Sequence, residues 1–231
     1  RQMCIRDSRQ SNKELFDWVI ASIDGNPSTA SNGVVISCDG ASDILQNCRM
    51  VFVCAGVNVR ANTDKSVLNI IRRLDRNGAV IGAICTGTYV MAAAGLLEGR
   101  RCTIHWENID GLAEEFPELE ITNDLFEVDG TRVTCSGGTA ALDMMLNLIT
   151  QTHGAQLAAE VSDQFIHDRI REPTDRQRME LRSRIGVSHP KLLAVVKTME
   201  DNLEEPLAQT SIARMTNLST RQLERLFRKY L

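Results

Sequence analysis

The stretch "AVIGAICTGTYVMAAAGLLEG", residues 79–99, decides how this chain is read. Its first seven residues form a short β-branched apolar run, as in a strand buried on both faces, and a helical pattern follows from Gly87. Cys85 therefore sits where a buried strand turns into a helix. Unpaired backbone N–H groups and the helix dipole stabilise a thiolate or a bound anion there.

Working outward, "MVFVCAG" (50–56) and "VVIS" (34–37) read as further buried strands. Between residues 56 and 79, "DKSVLNIIRRLDRNG" places Val67, Ile70, Ile71 and Leu74 at helical spacing, with Gly78 as a stop signal. Strand, helix, strand in that order predicts a parallel sheet with a crossover helix. Downstream, a helix is expected at 87–94, a strand around "RCTIH" (101–105) and a helix at 107–116 ending before Pro117. Asp129-Gly130 between two alternating runs predicts a hairpin. Helices over 138–150 and 154–170 close an α/β domain spanning residues 9–170.

Residues 1–8, "RQMCIRDS", lack periodicity and are expected to be disordered or foreign to the native chain. Residues 171–187 are polar, open near Pro173 and predict a linker. In the remaining segment, 188–231, Leu192, Val196, Met199 and Leu203 recur at helical spacing, and two short amphipathic segments follow Pro206.

Length and composition agree with two globular domains: 231 residues, 43% hydrophobic and 24% charged, exclude a fibrous or disordered class. No apolar run approaches the roughly 20 residues that cross a bilayer, and no signal peptide opens the chain, so a cytoplasmic location is expected. Seven cysteines without a CxxC pair predict neither a disulfide framework nor a zinc site. No cofactor is expected. Charge divides unevenly: residues 1–167 carry 13 basic and 21 acidic side chains, residues 168–231 carry 13 and 9. Such a division directs the C-terminal part toward a polyanion.

The last 25 residues, "LAQTSIARMTNLSTRQLERLFRKYL", carry the most specific pattern. Ser219 followed by Gln222 is a capping box, and Asn217 occupies a turn position that needs positive φ. Leu218, Leu223, Leu226 and Phe227 form one apolar stripe, which leaves Thr220, Arg221, Gln222, Arg225 and Lys229 outside it. This is a helix-turn-helix whose second helix fits a major groove, with a helical hairpin that docks on the first domain as the alternative. Here the sequence resembles the AraC family of bacterial transcription regulators, matched by Ile212, Ala213, Leu218, Ser219, Arg221, Leu223, Arg225, Phe227 and Lys229. Family members carry two such motifs, so the resemblance implies a truncated reader. Arg221 and Gln222 are expected at base edges, with Thr220 beside them and Arg225, Arg228 and Lys229 on phosphates.

"AICTGTYVMAAAGLLEGRRCTIHW" in turn resembles the DJ-1/PfpI superfamily, of the class I glutamine amidotransferase fold. The resemblance implies a flavodoxin-like parallel-sheet sandwich, with Cys85 at the elbow and His105 delivered near the sulfur. "CSGGTAALDMML" (135–146) matches the Gly-rich turn and last core helix, which brings in Gly137. Three departures argue against catalysis: the residue after the cysteine is Thr86, where hydrolases of the family commonly carry histidine; no stretch before Val34 reads as the strand that supplies a carboxylate; and the fusion to a DNA-binding unit favours a sensor. Cys85 is thus expected in a ligand pocket, with core packing and catalysis as its other readings. Trp106 has two readings, a face for a cationic amine or a core residue, and Glu107 would supply a counter-charge. Gly56, at a strand's carboxyl end, either approaches the ligand or makes a tight turn.

Together the halves resemble GlxA-like AraC-family regulators, and "CTIHWEN" (102–108) is closest to regulators of arginine, carnitine and glycine betaine catabolism. The resemblance implies a transcription regulator whose partners are operator DNA, a small nitrogenous effector (an amino acid or quaternary amine), a second copy in a homodimer and RNA polymerase. The rival reading is a Cys-dependent amidase or glyoxalase-like hydrolase using Cys85.

Overall fold

The computed structural model describes residues 15–178 and 185–230. Residues 1–8, expected to be disordered or non-native, lie outside the described residues, as do 9–14 at the start of the first domain. The chain divides into two compact units between Gln177 and Arg178.

In chain order the first unit contains β1 (Ser28–Thr29), β2 (Val35–Ile36), β3 (Met50–Ala55), α1 (Lys65–Arg76), β4 (Val80–Cys85), α2 (Gly87–Ala93) and β5 (Arg101–Thr103). There follow α3 (Ile109–Glu115), β6 (Glu120–Thr122), β7 (Phe126–Asp129), β8 (Arg132–Cys135), α4 (Ala140–His153) and α5 (Ala155–Gln164). The main sheet has the order β3-β4-β8-β7. β4 pairs in parallel with β3 (Met50↔Val80 through Ala55↔Cys85) and with β8 (Ile81↔Arg132 through Ile84↔Cys135), so it is central. That placement explains its run of small and β-branched residues, of which Ile81 and Ala83 are fully buried. Crossover helix α1 opens on Asp64, whose Oδ1 accepts from the N–H of Ser66 (2.8 Å) and Val67 (3.0 Å), and it buries Ile71 and Leu74. The β7–β8 hairpin turns through Gly130 at φ +61°.

Three expectations fail in this unit. "VVIS" is not a buried sheet strand: Val35 and Ile36 pair antiparallel with Thr29 and Ser28 in a small hairpin around Gly33, and Val34, Val35 and Ile36 are exposed. An apolar run gives no sign of which sheet it joins, and this one follows the Asn32-Gly33 turn too closely to reach the core. The helix expected over 154–170 ends at Gln164, because Ile166 takes a left-handed φ of +54° and Ser162 Oγ turns to donate to the His167 carbonyl.

The third correction concerns the linker. Its first part, residues 171–177, is fastened to the first unit. The Leu125 N–H donates to the Pro173 carbonyl at 2.8 Å, and Asp124 and Arg176 form an antiparallel bridge. Arg171 meets Asp143 of α4, a fully buried carboxylate, through its backbone N–H (2.8 Å) and its guanidinium (2.6 and 2.9 Å). His167 completes that carboxylate's shell at 2.9 Å. The polar residues that looked like a solvated tether pair instead with buried polar groups. Gln177 ends the strap, its Nε2 lying 2.9 Å from Thr103 Oγ1, 3.0 Å from the Ile104 carbonyl and 2.9 Å from the Asp124 carbonyl.

The second unit contains α6 (Pro190–Glu200), α7 (Gln209–Met215) and α8 (Thr220–Tyr230). Its core joins Val195, Ile212, Ala213 and Leu223, flanked by Leu207, Leu218 and Phe227. The face of α6 differs from the one expected: Leu192 and Val195 are buried, whereas Met199 and Leu203 are exposed. Among the described residues no helix is long and apolar enough to cross a membrane.

Candidate functional site

The elbow is built from contacts that only small residues allow. Cys85 takes φ +58°, a left-handed conformation that costs a non-glycine residue on the order of 1–3 kcal/mol. Thr86 Oγ1 donates to the Gly56 carbonyl at 2.7 Å and braces the turn against the end of β3. Gly87 lies on β3 so closely that a Cβ there would stand 2.2 Å from the Val53 carbonyl oxygen. Gly137, at φ +89°, backs Cys85: a Cβ on it would fall 2.7 Å from the Cys85 Cβ and 3.2 Å from its Sγ. Gly56 is thereby a brace for the elbow, through its carbonyl.

The electrostatics favour a thiol at Cys85. Burial pushes its pKa up, the Thr86 backbone N–H pulls it down, and the charge of Glu107 raises it again, leaving it above the ordinary value. Cys135, the neighbour on β8, is pushed up by burial to about 11. His105 attends to other groups. Its Nδ1 accepts from the Glu107 N–H at 3.4 Å and lies 3.6 Å from Glu107 Oε2, and among the described residues no hydrogen bond joins it to the sulfur. Trp106 follows in the 3-10 turn Trp106–Asn108, at 38% exposure, which settles it outside the core. Its ring tilts toward His105, centroids 5.5 Å apart.

Beside the elbow lies a cleft of about 320 Å³. One wall is the loop after β3, including Asn58 and Arg60; the floor includes Thr86 and Tyr89 of the elbow; Ile104, Asn108 and Leu112 form the opposite wall. Of the ligand residues expected from sequence, Thr86 lines this cleft, and Cys85, Gly56, His105, Trp106, Glu107 and Gly137 lie outside its walls. Sequence reading missed Asn58, Arg60, Tyr89 and Asn108. The signal for the first two was positional, since they follow directly on the carboxyl end of a parallel strand, where open α/β sheets bind ligands. Arg60 and Tyr89 of the lining share a partner outside it: Arg60 Nη2 meets Glu115 Oε2 at 2.6 Å, the guanidinium lies 5.8 Å from the centroid of the Tyr89 ring, and Tyr89 OH donates to Glu115 Oε1 at 2.6 Å. Burial, then Glu115, pushes the Tyr89 hydroxyl above its ordinary value, so it remains a donor. Among the described residues no group of three or more His, Cys, Asp or Glu side chains is placed to hold a metal ion.

The second candidate surface is α8. The capping box forms as expected: the Ser219 N–H donates to Gln222 Oε1 at 2.9 Å, and the Gln222 N–H donates to Ser219 Oγ at 3.2 Å. Asn217 takes φ +52° in the turn after α7. With Leu223 buried and Leu226 and Phe227 half-buried, the helix presents Arg221, Gln222, Arg225, Arg228 and Lys229 as exposed side chains and Thr220 as half-buried. Gln222 Oε1 is held by the cap, which leaves its amide nitrogen as the group turned to other partners.

Comparison with known proteins places both halves. Residues 10–151 match the DJ-1/PfpI family. The chain is 45% identical over 227 residues to the HTH-type transcriptional regulator CdhR of Pseudomonas aeruginosa, covering 98% of this chain and 68% of that protein. It is 42% identical over 221 residues to the HTH-type transcriptional regulator GbdR of the same species, spanning 60% of that protein's length. A shorter match, 35% over 104 residues and 44% of this chain, is to isonitrile hydratase of Pseudomonas putida. Among solved structures, an AraC family transcriptional regulator from Pseudomonas putida superimposes with a TM-score of 0.62 at 21% identity, covering 71% of this chain and 89% of that one. Oxidized DJ-1 of Toxoplasma gondii superimposes at 0.56 and 20% identity, covering 72% and 90% of the two chains, and both likenesses speak to the fold. The chain belongs to the DJ-1/PfpI family, among its members that are HTH-type transcriptional regulators.

Proposed function

We propose that the first unit is an effector-sensing domain and the second the DNA-reading part of a cytoplasmic transcription regulator, which acts as a homodimer with operator DNA and RNA polymerase as partners. The observation that carries this reading is the cationic exposed face of α8 behind a formed capping box and a buried Leu223. A helix so capped offers its N-terminal residues to base edges and its later cations to phosphates. The effector is a small nitrogenous metabolite, and the cleft beside the elbow is where it binds. Signalling works by differential affinity: the effector prefers one arrangement of the paired sensors and so biases how two readers meet two half-sites.

Binding, and not turnover, is the role assigned to the elbow. The Cys85 thiol is raised above its ordinary pKa, and His105 is held by Glu107, so the hydrolase reading lacks both a thiolate and a base at the sulfur.

The test is operator binding, with genomic fragments selected by the full chain and affinities read by fluorescence anisotropy. Arg221→Ala is expected to weaken the selected site by about 1–3 kcal/mol and to relax preference at one base pair. Arg225→Ala is expected to weaken all sequences alike and to lower the salt slope by about 1. Unchanged affinity in both variants would remove α8 from the interface.

A further inference from the structure

Gln177, the last residue of the first unit, is hydrogen-bonded to a residue of the cleft lining. Ile104 forms part of that lining, and its carbonyl accepts from Gln177 Nε2 at 3.0 Å. It stands one residue past the end of β5, outside the strand ladder. Its neighbour Thr103, fully buried, joins the same amide to the elbow helix. Thr103 Oγ1 lies 2.9 Å from Gln177 Nε2, and the Thr103 carbonyl accepts from Thr88 Oγ1 of α2 at 2.8 Å. A line of hydrogen bonds thus runs from the elbow helix, through the end of β5, to the residue that precedes the second unit.

The amide is held, but incompletely. Its two N–H groups are divided among Thr103 Oγ1, the Ile104 carbonyl and the Asp124 carbonyl, while its Oε1 is buried and meets no donor among the described residues. Turning the amide over would set Oε1 against two carbonyl oxygens, so the group cannot satisfy itself in place. A buried acceptor without a donor offsets part of what the donors on the same group supply, and it regains water when the side chain swings out. The start of the strap is fastened independently, by the Arg171 N–H on Asp143 and by the Leu125 N–H on the Pro173 carbonyl, each at 2.8 Å. Gln177 can therefore let go while Arg171 stays docked.

We propose that Gln177 is a latch between cleft and linker: filling the cleft displaces the Thr103–Ile104 wall, breaks the amide's contacts and frees the strap end that leads into Arg178. The assignment rests on reading the cleft as the effector site and names how its occupancy leaves the first unit.

The experiment needs no effector. Gly111 lines the cleft from α3, and a Cβ there meets nothing within 4 Å, so Gly111→Leu builds a side chain into open space and stands in for an occupant. Leu is also the better helix former, so the fold is not put at risk. Hydrogen exchange of the full chain is expected to show the Leu125 amide at least about fivefold faster in Gly111→Leu, with the Arg171 amide at its wild-type rate as the internal control. Gly111→Ala should act in the same direction by a smaller factor. Gln177→Met, which keeps the length and removes the donors, should release Leu125 with the cleft unfilled. Operator affinity then tests the relay: Gly111→Leu is expected to change it about 5- to 150-fold in the wild-type background and less than about twofold in Gln177→Met. A Leu125 amide that keeps its wild-type rate in both Gly111→Leu and Gln177→Met, acceleration of Leu125 and Arg171 together, or the same change in operator affinity in both backgrounds would overturn the latch. Any of these would leave the effector reading standing, which fails separately if no small metabolite binds the cleft.

Discussion

Asp143→Asn is expected to destabilise the first unit by about 3–5 kcal/mol, the penalty for breaking a buried ion pair from one side. The Asp143 carboxylate is fully buried in α4 and is met by the Arg171 backbone N–H, the Arg171 guanidinium and His167. The amide keeps one acceptor and brings a donor that faces donors, so Arg171 is left one-quarter exposed without its counter-charge. Denaturant unfolding followed at α4 reads the change directly, and a loss under about 1 kcal/mol would mean that the strap 171–177 is held by something else. The pH dependence follows with its sign. Burial raises the carboxyl, but the Arg171 N–H, its side chain and His167 more than offset this and hold the pKa below the ordinary value of 3.8. A carboxyl whose folded pKa is depressed contributes stability that is present above the unfolded pKa and lost as pH falls through the folded one. Wild type should therefore lose stability below about pH 4 more steeply than Asp143→Asn, and parallel acid profiles would contradict the pairing.

The second large effect falls on the elbow. Gly137→Ala must place a methyl group 2.7 Å from the Cys85 Cβ at a backbone φ of +89°, so strain and collision act together. Backbone strain costs about 1–3 kcal/mol and overpacking about 1–3 more. Gly138→Ala is the control, since its φ of +55° is strained but nothing lies within 4 Å of the new Cβ. Thermal unfolding should show Gly137→Ala less stable than Gly138→Ala by the overpacking share, and equal losses would show that Gly137 does not position Cys85.

Much of this was legible in the sequence because local chemistry and global placement agreed. The run at 79–85 is the central strand and the run at 50–56 pairs with it in parallel, although as an edge strand it leaves Met50 and Cys54 exposed; the Asp129-Gly130 hairpin forms, and Asn217, Ser219 and Gln222 act in the backbone's own geometry within five residues of one another. Residues that depend on distant partners were not legible. The polarity of 171–177 pointed to solvent, yet Arg171 and Gln177 reach across 28 and 74 residues to Asp143 and Thr103. "VVIS" had the composition of a core strand and became a hairpin arm, since nothing within the run specifies its partner. At the candidate site the family resemblance located the elbow, and Thr86 reached the cleft. Arg60, Tyr89 and Glu115 were missed because they come from three elements and meet only through tertiary packing.

The most direct test of the central claim, that occupancy of the cleft is reported to DNA, is the affinity of the full chain for its selected genomic site with and without a saturating small nitrogenous metabolite found by thermal shift to bind it. The predicted result is a change of about 5- to 150-fold, the range of ordinary allosteric coupling. An affinity that stays the same while the compound demonstrably fills the cleft would contradict it.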